Sequence, residues 1–372
     1  MAKQNILHIC LSHGWGGLEM YPLRIGKEFL NQGYNVYGLC LANSRVAEGM
    51  KEAKIDTFEV ENKNNLLLQL PKLNRWLKEN RVDVIHCHKS GDVVVAALLD
   101  VLSSRKIIFT EHMGVTRPKK DLYHRWVYSH VDQVLSISDE TYKRNVNALP
   151  VPLNKIQRLW LGTEMYTPIE SKEEIKAIKK ELSVPVDADV VGVTGRIARG
   201  KGQGELLDAF ISLEHKYPNL HLLIVGGLTV KQGSEDEFVA QLQATVKEHN
   251  LENRVHFSGF RSDTKRMYAA MDIVCLPCHH EAFGLTVIEA MAAKKAIVGA
   301  NTGALPEILE DTAQLCSPLL PNEIAGAIEF YLNNPQARQK AAEKAYARAT
   351  DEFSMQTHIN KLSSIYSIIS ND

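Results

Sequence analysis

The chain has 372 residues and a mass of 41.7 kDa, enough for two domains, with 45% hydrophobic and 23% charged residues. This is ordinary globular usage and excludes a disordered or fibrous chain, while a formal net charge of −1 excludes a global field for nucleic acid. Six cysteines in so long a chain do not make a disulfide scaffold, which points to a reducing, cytoplasmic setting.

The first apolar run, Ile6 to Leu11, is broken by His8 and is too short for a signal-peptide core. No stretch of about 18 apolar residues occurs, so no membrane-spanning helix is expected. Short β-rich runs then alternate with amphipathic ones. Asn5–Leu11, Asn35–Leu41, Asp83–His88, Lys106–Thr110 and Gln133–Ile137 read as strands; Leu18–Gln32, Leu66–Asn80, Asp92–Leu102 and Asp139–Leu149 read as helices. A breaker cluster, Leu161-Gly162-Thr163-Glu164 with Tyr166-Thr167-Pro168, reads as a linker. In the second series the strands are Asp189–Thr194, His221–Val225, Val255–Phe257, Ile273–Leu276, Ala296–Val298 and Ala313–Leu315. Its helices are Gly204–Lys216, Glu237–His249, Thr264–Met271, Leu285–Ala293 and Glu323–Leu332, and two more close the chain, Gln336–Ala349 and Ser354–Ile369. The alternation predicts an α/β protein of two Rossmann-like, doubly wound parallel-sheet domains facing across a cleft. The expected division is 1–165, 166–350, and a C-terminal helix at 351–372 that packs back on the first domain. The near-neutral charge hides an asymmetry of +5 over residues 1–165 and −6 over 166–372, which points to a local anionic partner for the first half.

Ligands of parallel sheets sit beyond the carboxyl ends of strands, so the loops there matter most. After the second domain's first strand comes Gly195-Arg196-Ile197-Ala198-Arg199-Gly200-Lys201-Gly202. Its spacing mimics a P-loop, but Gly202 stands where a Mg²⁺-holding hydroxyl is needed, which excludes an NTPase. Glycines that admit an anion, a helix start near Gly202 and two cations, Arg196 and Lys201, together suit a diphosphate. In Cys278-His279-His280-Glu281-Ala282-Phe283-Gly284-Leu285-Thr286-Val287-Ile288-Glu289 two carboxylates lie eight residues apart. Glu281 falls in the loop and Glu289 one turn into a helix whose first N–H groups point at an anion. A carboxylate so placed can take two ribose hydroxyls.

Taken in order, these pieces resemble a GT-B glycosyltransferase of family 4, whose members are retaining and nucleotide-sugar dependent. Gly14-Trp15-Gly16-Gly17 resembles the family's glycine loop and Asp83-Val84-Ile85-His86-Cys87-His88 its D-x-I/V-H-x-H strand. Thr110-Glu111-His112 resembles its T-x-H loop and Ser136-Ile137-Ser138 its V-S-x-S. Gly195-Arg196 through Lys201-Gly202 resembles its G-R-x-x-x-x-K-G, Glu281 to Glu289 its Glu-x7-Glu, and Thr302-Gly303-Ala304-Leu305-Pro306-Glu307 its G-G-x-x-E loop with Thr302 replacing the first glycine. The resemblance implies that Arg196 and Lys201 neutralise a departing diphosphate. It implies that Glu289 binds ribose, and that Glu281 with the Phe283, Gly284 and Leu285 backbone holds the donor sugar and its phosphate. His112 would sit near the transferred sugar. Gly16 and Gly17 would approach phosphate or acceptor, and the loop at Phe260 and Arg261 would read the base through its backbone. The expected reaction moves a sugar from a nucleotide-sugar, UDP by default, to a glycan or glycolipid acceptor in bacterial-type cell-surface polysaccharide or lipopolysaccharide synthesis. The alternative is a sugar-nucleotide epimerase or a non-catalytic nucleotide-sugar binding protein of the same fold.

No metal and no cofactor is expected: two cations stand where an Asp-x-Asp would hold an ion, and Asp187-Ala188-Asp189 and Glu235-Asp236-Glu237 are expected away from the cleft loops. Cys275-Leu276-Pro277-Cys278 with His279 and His280 lacks a second C-x-x-C, and its Cys275 reads as strand core. His86 and His88 share one strand face and fit either a metal pair or the polar end of a strand. Finally, Val115 to Tyr128 combines Arg117, Lys119, Lys120 and Arg125 with Leu122, Tyr123, Trp126 and Val127 at helical spacing. That is the composition of a helix lying on an anionic membrane surface, with the protein peripheral on the inner face of the plasma membrane, or of one that packs Leu122 and Trp126 on its own sheet.

Overall fold

In the computed structural model, which describes residues 3–371, the chain folds as two units. The first holds everything up to Gly162 together with the segment from Met355 onward; the second is Thr163–Ser354. The dividing points therefore fall at 162/163 and 354/355, against 165/166 and 350/351 in the sequence reading.

The first unit runs β1 (Asn5–Cys10), α1 (Gly17–Asn31), β2 (Asn35–Leu41), α2 (Arg45–Glu52), β3 (Asp56–Val60), α3 (Lys63–Glu79), β4 (Val84–Cys87), α4 (Ser90–Leu102), β5 (Lys106–Glu111), α5 (Leu122–Ser129), β6 (Gln133–Ser136), α6 (Asp139–Ala148) and β7 (Ile156–Arg158). All seven strands are parallel, in the order β3-β2-β1-β4-β5-β6-β7. Helices cover such a sheet on both faces, so its strands read as continuous apolar runs: Ile6, Leu7, Ile9, Ile85 and Phe109 are fully buried. Ser138 and Thr141 close a reciprocal capping box at the start of α6, and Ser44 caps α2.

The second unit runs α7 (Lys172–Glu181), β8 (Asp189–Thr194), α8 (Gln203–Leu213), β9 (Leu220–Val225), α9 (Asp236–Glu248), β10 (Val255–Gly259), α10 (Thr264–Ala269), β11 (Ile273–Leu276), α11 (Leu285–Ala292), β12 (Ala296–Ala300), α12 (Leu305–Leu309), β13 (Gln314–Cys316), α13 (Pro321–Asn333) and α14 (Pro335–Phe353). Its parallel sheet has the order β10-β9-β8-β11-β12-β13. Both ends of this unit meet: Thr163 bridges Ser354, and its N–H donates to the Phe353 carbonyl at 2.9 Å. The last helix, α15 (Met355–Asn371), belongs to the first unit, where Tyr34 bonds Ser363 at 2.6 Å.

Each sheet reverses its winding once, between β1 and β4 and between β8 and β11. At such a switch point two neighbouring loops diverge and leave a crevice beyond the carboxyl ends. The conspicuous sequence motifs fall in those loops.

Candidate active site

In the second unit the loops after β8, β11 and β12 are stitched together. The His279 N–H donates to the Gly200 carbonyl at 2.9 Å, and the Ala304 N–H to the Glu281 carbonyl at 2.9 Å. Glycine is required at two of the contacts. A Cβ on Gly202, whose φ is +83°, would lie 2.1 Å from the Pro277 carbonyl oxygen; one on Gly303, at +60°, would lie 2.4 Å from that of Glu281. Both helices leaving the switch point, α8 and α11, start after a left-handed glycine, Gly202 and Gly284. Their first N–H groups have no intrahelical acceptor.

The Lys201 ammonium donates to Glu281 at 2.8 Å, with the two side chains 31% and 23% exposed. Burial works against the lysine's charge and Glu281 outweighs it, so the Lys201 pKa lies above its ordinary value. Arg196 is exposed, close enough to Lys201 to oppose its charge, and has no ionic partner among the described residues. Sequence motif and geometry thus gather Arg196, Lys201, Glu281, Gly284 and Leu285 at one switch point. Glu289 lies on the helix that follows. Its carboxylate receives the Tyr268 hydroxyl at 3.4 Å and its backbone carbonyl the Tyr166 hydroxyl at 3.0 Å. Tyr268 is fully buried and also bonds Thr194 at the end of β8, at 2.7 Å, so it ties the two strands' loops together. Phe283 turns its ring into the core, against Phe353 at 6.2 Å, and offers a ligand only its backbone.

Phe260 and Arg261 follow the edge strand β10, two strands away from β8. Phe260 is 63% exposed. The Arg261 guanidinium is committed to Glu181 and Asp263, both at 2.7 Å, which raises its pKa further and leaves no free charge for a phosphate. One expectation fails here. Glu235-Asp236-Glu237 is not remote from the cation loop: the Arg199 N–H donates to the Glu235 carboxylate at 3.3 Å, and the Glu235 N–H to the Ile197 carbonyl at 3.0 Å. The segment after β9 folds back over the loop of its neighbour β8. The C-x-x-C pair stays in the core: Cys275 is fully buried in β11, Cys278 points at the Lys201 carbonyl, and His279 bonds Glu205 at 2.6 Å.

In the first unit the glycine loop receives an acid from its own chain. Glu19, in the first turn of α1, accepts from the Ser12 hydroxyl at 2.8 Å and from Lys89 at 3.1 Å, and Lys89 also donates to Ser12 at 2.7 Å. Burial opposes the charge of Glu19, and the Ser12 hydroxyl and Lys89 overcome it, so the carboxyl lies below its ordinary range. A Cβ on Gly14 would stand 3.1 Å from that carboxylate and one on Gly16 3.5 Å. The helix start at Gly16 and Gly17 is therefore already matched to a negative charge.

His112 follows Glu111 at the end of β5 and is buried, its ring 4.9 Å from Tyr21. Burial holds its pKa down to about 3 against the pull of Glu19, so the imidazole is neutral; its Nε2 has no hydrogen-bond partner among the described residues. Behind it lies a buried histidine cluster. His8 and His88 bond each other at 3.1 Å; His86 bonds Tyr366 at 2.6 Å and Thr110 at 2.7 Å; His358 bonds Tyr21 at 2.9 Å and the Trp160 carbonyl at 2.7 Å. Ligand nitrogens of His8, His86 and His88 converge within 4.8 Å. Both nitrogens of His86 are engaged, and His8 Nδ1 pairs with His88 Nε2, while His8 Nε2 and His88 Nδ1 are buried with no hydrogen-bond partner among the described residues.

Sequence reasoning passed over Glu19, Lys89, Ser12 and Tyr268. The first two had a signal: an acid two residues past Gly16-Gly17 falls in a helix's first turn, and a lysine directly follows the His86-Cys87-His88 strand. Tyr268, inside an ordinary amphipathic helix, carried none.

Two doubly wound parallel sheets in one chain, with cation, glycine and carboxylate loops at a switch point, define the GT-B fold. The comparisons agree. The family described as "Glycosyl transferases group 1" matches residues 174–348 and "Glycosyltransferase Family 4" residues 15–164. The chain belongs to these group 1, family 4 glycosyltransferases. It is 25% identical to the lipopolysaccharide core biosynthesis mannosyltransferase LpcC of Rhizobium leguminosarum bv. viciae, over 82% of this chain and 83% of that one. It is 29% identical to the D-inositol 3-phosphate glycosyltransferase of Corynebacterium glutamicum (strain R), over 94% and 91%. Its fold is that of a glycosyltransferase from Rickettsia africae, with a TM-score of 0.87 at 20% identity over 99% of both chains. It is also that of Anabaena HepE in complex with UDP and glucose, with a TM-score of 0.80 at 22% identity over 98% and 99%.

Proposed function

We propose that the chain transfers a hexose from a nucleotide-sugar, with UDP as the default nucleotide, to a glycan or glycolipid hydroxyl, with retention and without a metal. The setting that fits is synthesis of a cell-surface polysaccharide or lipopolysaccharide core, the latter being the setting of the Rhizobium mannosyltransferase it resembles. The observation that carries the reading is the Lys201–Glu281 pair at the β8/β11 switch point with the unpaired Arg196 beside it. A departing nucleoside diphosphate gains negative charge as the sugar–phosphate bond lengthens. Two fixed cations and the free N–H groups starting α11 stabilise charge where it develops, which lowers the barrier rather than merely tightening binding. Their combined charge is what replaces a divalent ion in this reading. Glu289 takes the ribose hydroxyls, Glu281 the hydroxyls of the sugar, and the exposed loop at Phe260 and Arg261 the base. On the first unit, His112 offers a neutral imidazole nitrogen to a sugar hydroxyl.

The deciding experiment incubates the chain with a panel of nucleotide-sugars and candidate acceptors, with and without chelator. The expected result is acceptor-dependent release of nucleoside diphosphate from one sugar donor, unchanged by chelator, and a product that keeps the donor's anomeric configuration. Epimerised donor without transfer would identify the epimerase alternative, and donor binding without turnover the non-catalytic one. Activity that vanishes in chelator and returns with Mn²⁺ or Mg²⁺ would remove the metal-free part.

A further inference from the structure

The loop that leaves β1 at the switch point of the first sheet carries a large aromatic side chain. Trp15 stands there between Gly14 and Gly16 and is 42% exposed. Exposure alone says little, since single apolar side chains are common on surfaces. What sets Trp15 apart is how it is held. Its loop is pinned from below: the Gly14 N–H donates to the Ser12 hydroxyl oxygen at 3.1 Å, that hydroxyl donates to Glu19 at 2.8 Å, and Lys89 donates to both. The ring is seated from the side. A Cβ on Gly49, inside α2, would stand 3.3 Å from Trp15 Cη2, so the six-membered edge of the indole rests in the notch this glycine leaves. An interior glycine weakens a helix, and here it makes room for Leu23 and the indole together.

Polar groups border the ring. Arg45 lies one helical turn before Gly49 on α2, is exposed, and has no ionic partner among the described residues. The Lys89 side chain is 34% exposed; it donates to Ser12 and Glu19, and its third N–H has no acceptor among the described residues. A partly exposed aromatic ring with a few polar donors beside it is the make-up of a small-molecule site.

We infer that Trp15 is the stacking platform for a pyranose ring of the acceptor, with Arg45 and Lys89 donating to the hydroxyls at that ring's rim. The face of a pyranose carries C–H bonds whose polarised hydrogens meet the negative face of an indole, while its hydroxyls point outward and need partners. A ring fixed before the ligand arrives loses little freedom on binding. The acceptor so recognised is a glycan, since a bare lipid phosphate or an open-chain polyol has no such face. The inference deepens the proposed transfer reaction and rests on it for the ring's role as acceptor.

Two measurements test it, and the first needs no turnover. The full chain, which has four tryptophans, is titrated with methyl α-D-glucopyranoside, methyl α-D-mannopyranoside and methyl β-D-galactopyranoside, with glycerol as the ringless control, and its intrinsic fluorescence is read. At least one glycoside, and not glycerol, should change the emission saturably. Trp15→Phe should remove that change, and Trp126→Phe, on α5, should keep it. The second is steady-state kinetics with the preferred donor and a glycan acceptor. Trp15→Ala should raise the acceptor KM about tenfold, the scale of losing one aromatic stack, and Trp15→Phe should raise it less, with the donor KM following in neither. An emission change that survives in Trp15→Phe, none with any glycoside, or a wild-type acceptor KM in Trp15→Ala overturns the inference. Glycoside binding at Trp15 without release of nucleoside diphosphate from any donor upholds the platform and overturns the transfer reading, so the two fail separately.

Discussion

The Lys201 ammonium and the Glu281 carboxylate, eighty residues apart in sequence, meet at 2.8 Å across two neighbouring strand-end loops. The pair makes the two cations of the site unequal. Lys201 is held in place and partly compensated by its partner, whereas Arg196 is exposed and has no ionic partner among the described residues. Removing Lys201 also strips Glu281 of its counter-charge and leaves a bare carboxylate in the loop proposed to hold the diphosphate.

The consequence is an order of effects. Lys201→Ala should lower kcat/KM by roughly 10²–10³, the usual cost of losing one group aimed at developing charge. Arg196→Ala should cost less, because no buried partner is orphaned. Steady-state kinetics with the preferred donor reads both, and a larger loss in Arg196→Ala than in Lys201→Ala contradicts the assignment of the pair.

Glu289 should behave differently. A carboxylate on ribose hydroxyls binds ground state and transition state alike, so Glu289→Gln should raise KM for the donor with little change in kcat. Tyr268→Phe, which removes the hydroxyl shared by Thr194 and Glu289, should move KM in the same direction. A fall in kcat at unchanged KM in Glu289→Gln would instead place this acid at the reacting bond.

The central strands were legible from sequence because parallel strands buried on both faces read as apolar runs, and β2, β8 and β11 match residue for residue. The elements that escaped are short or peripheral. Strand β3 lies at the sheet edge with a mixed burial pattern, and α2 is an eight-residue helix with Gly49 in its interior. That glycine is there because a Cβ would stand 2.1 Å from Leu23, a tertiary contact no local pattern encodes. The site followed the same rule. Loop motifs with fixed spacing placed Arg196, Lys201, Glu281 and Glu289, while Tyr268 and the Glu19–Lys89 pair depend on which strands become neighbours.

Glycine substitutions separate backbone need from local preference. Gly202→Ala puts a methyl into the Pro277 carbonyl at a left-handed residue, so it should destabilise by about 1–3 kcal/mol and displace the Lys201 loop. Gly326, within α13, has nothing within 4 Å of the position a Cβ would take, so Gly326→Ala should stabilise by about 0.5–1 kcal/mol. Denaturant melts of both variants should move in opposite directions. Equal and small shifts would show that the Gly202 loop relaxes freely.

The histidine cluster predicts an acid-sensitive first unit. Burial holds His8 and His112 down to about 3 and His358 to about 4, and pushes His86 and His88 well below their ordinary value, with each other's charges adding to the effect. Once unfolded, each titrates near 6.5. Between those limits the unfolded chain binds more protons than the folded one, so stability is complete above about pH 6.5 and is lost as pH falls below it. Each histidine kept neutral contributes a slope of up to about 1.4 kcal/mol per pH unit in that window. His358 and Tyr366 are the α15 members, so the same protonation should loosen that helix from the unit. Thermal melts from pH 7.5 to 5 should show a falling midpoint, and hydrogen exchange should show α15 losing protection at the acid end. His358→Asn, which keeps polar groups at the site but cannot titrate there, should flatten the dependence. A midpoint that stays level across this range would mean the histidines keep the same protons in the folded and unfolded chain.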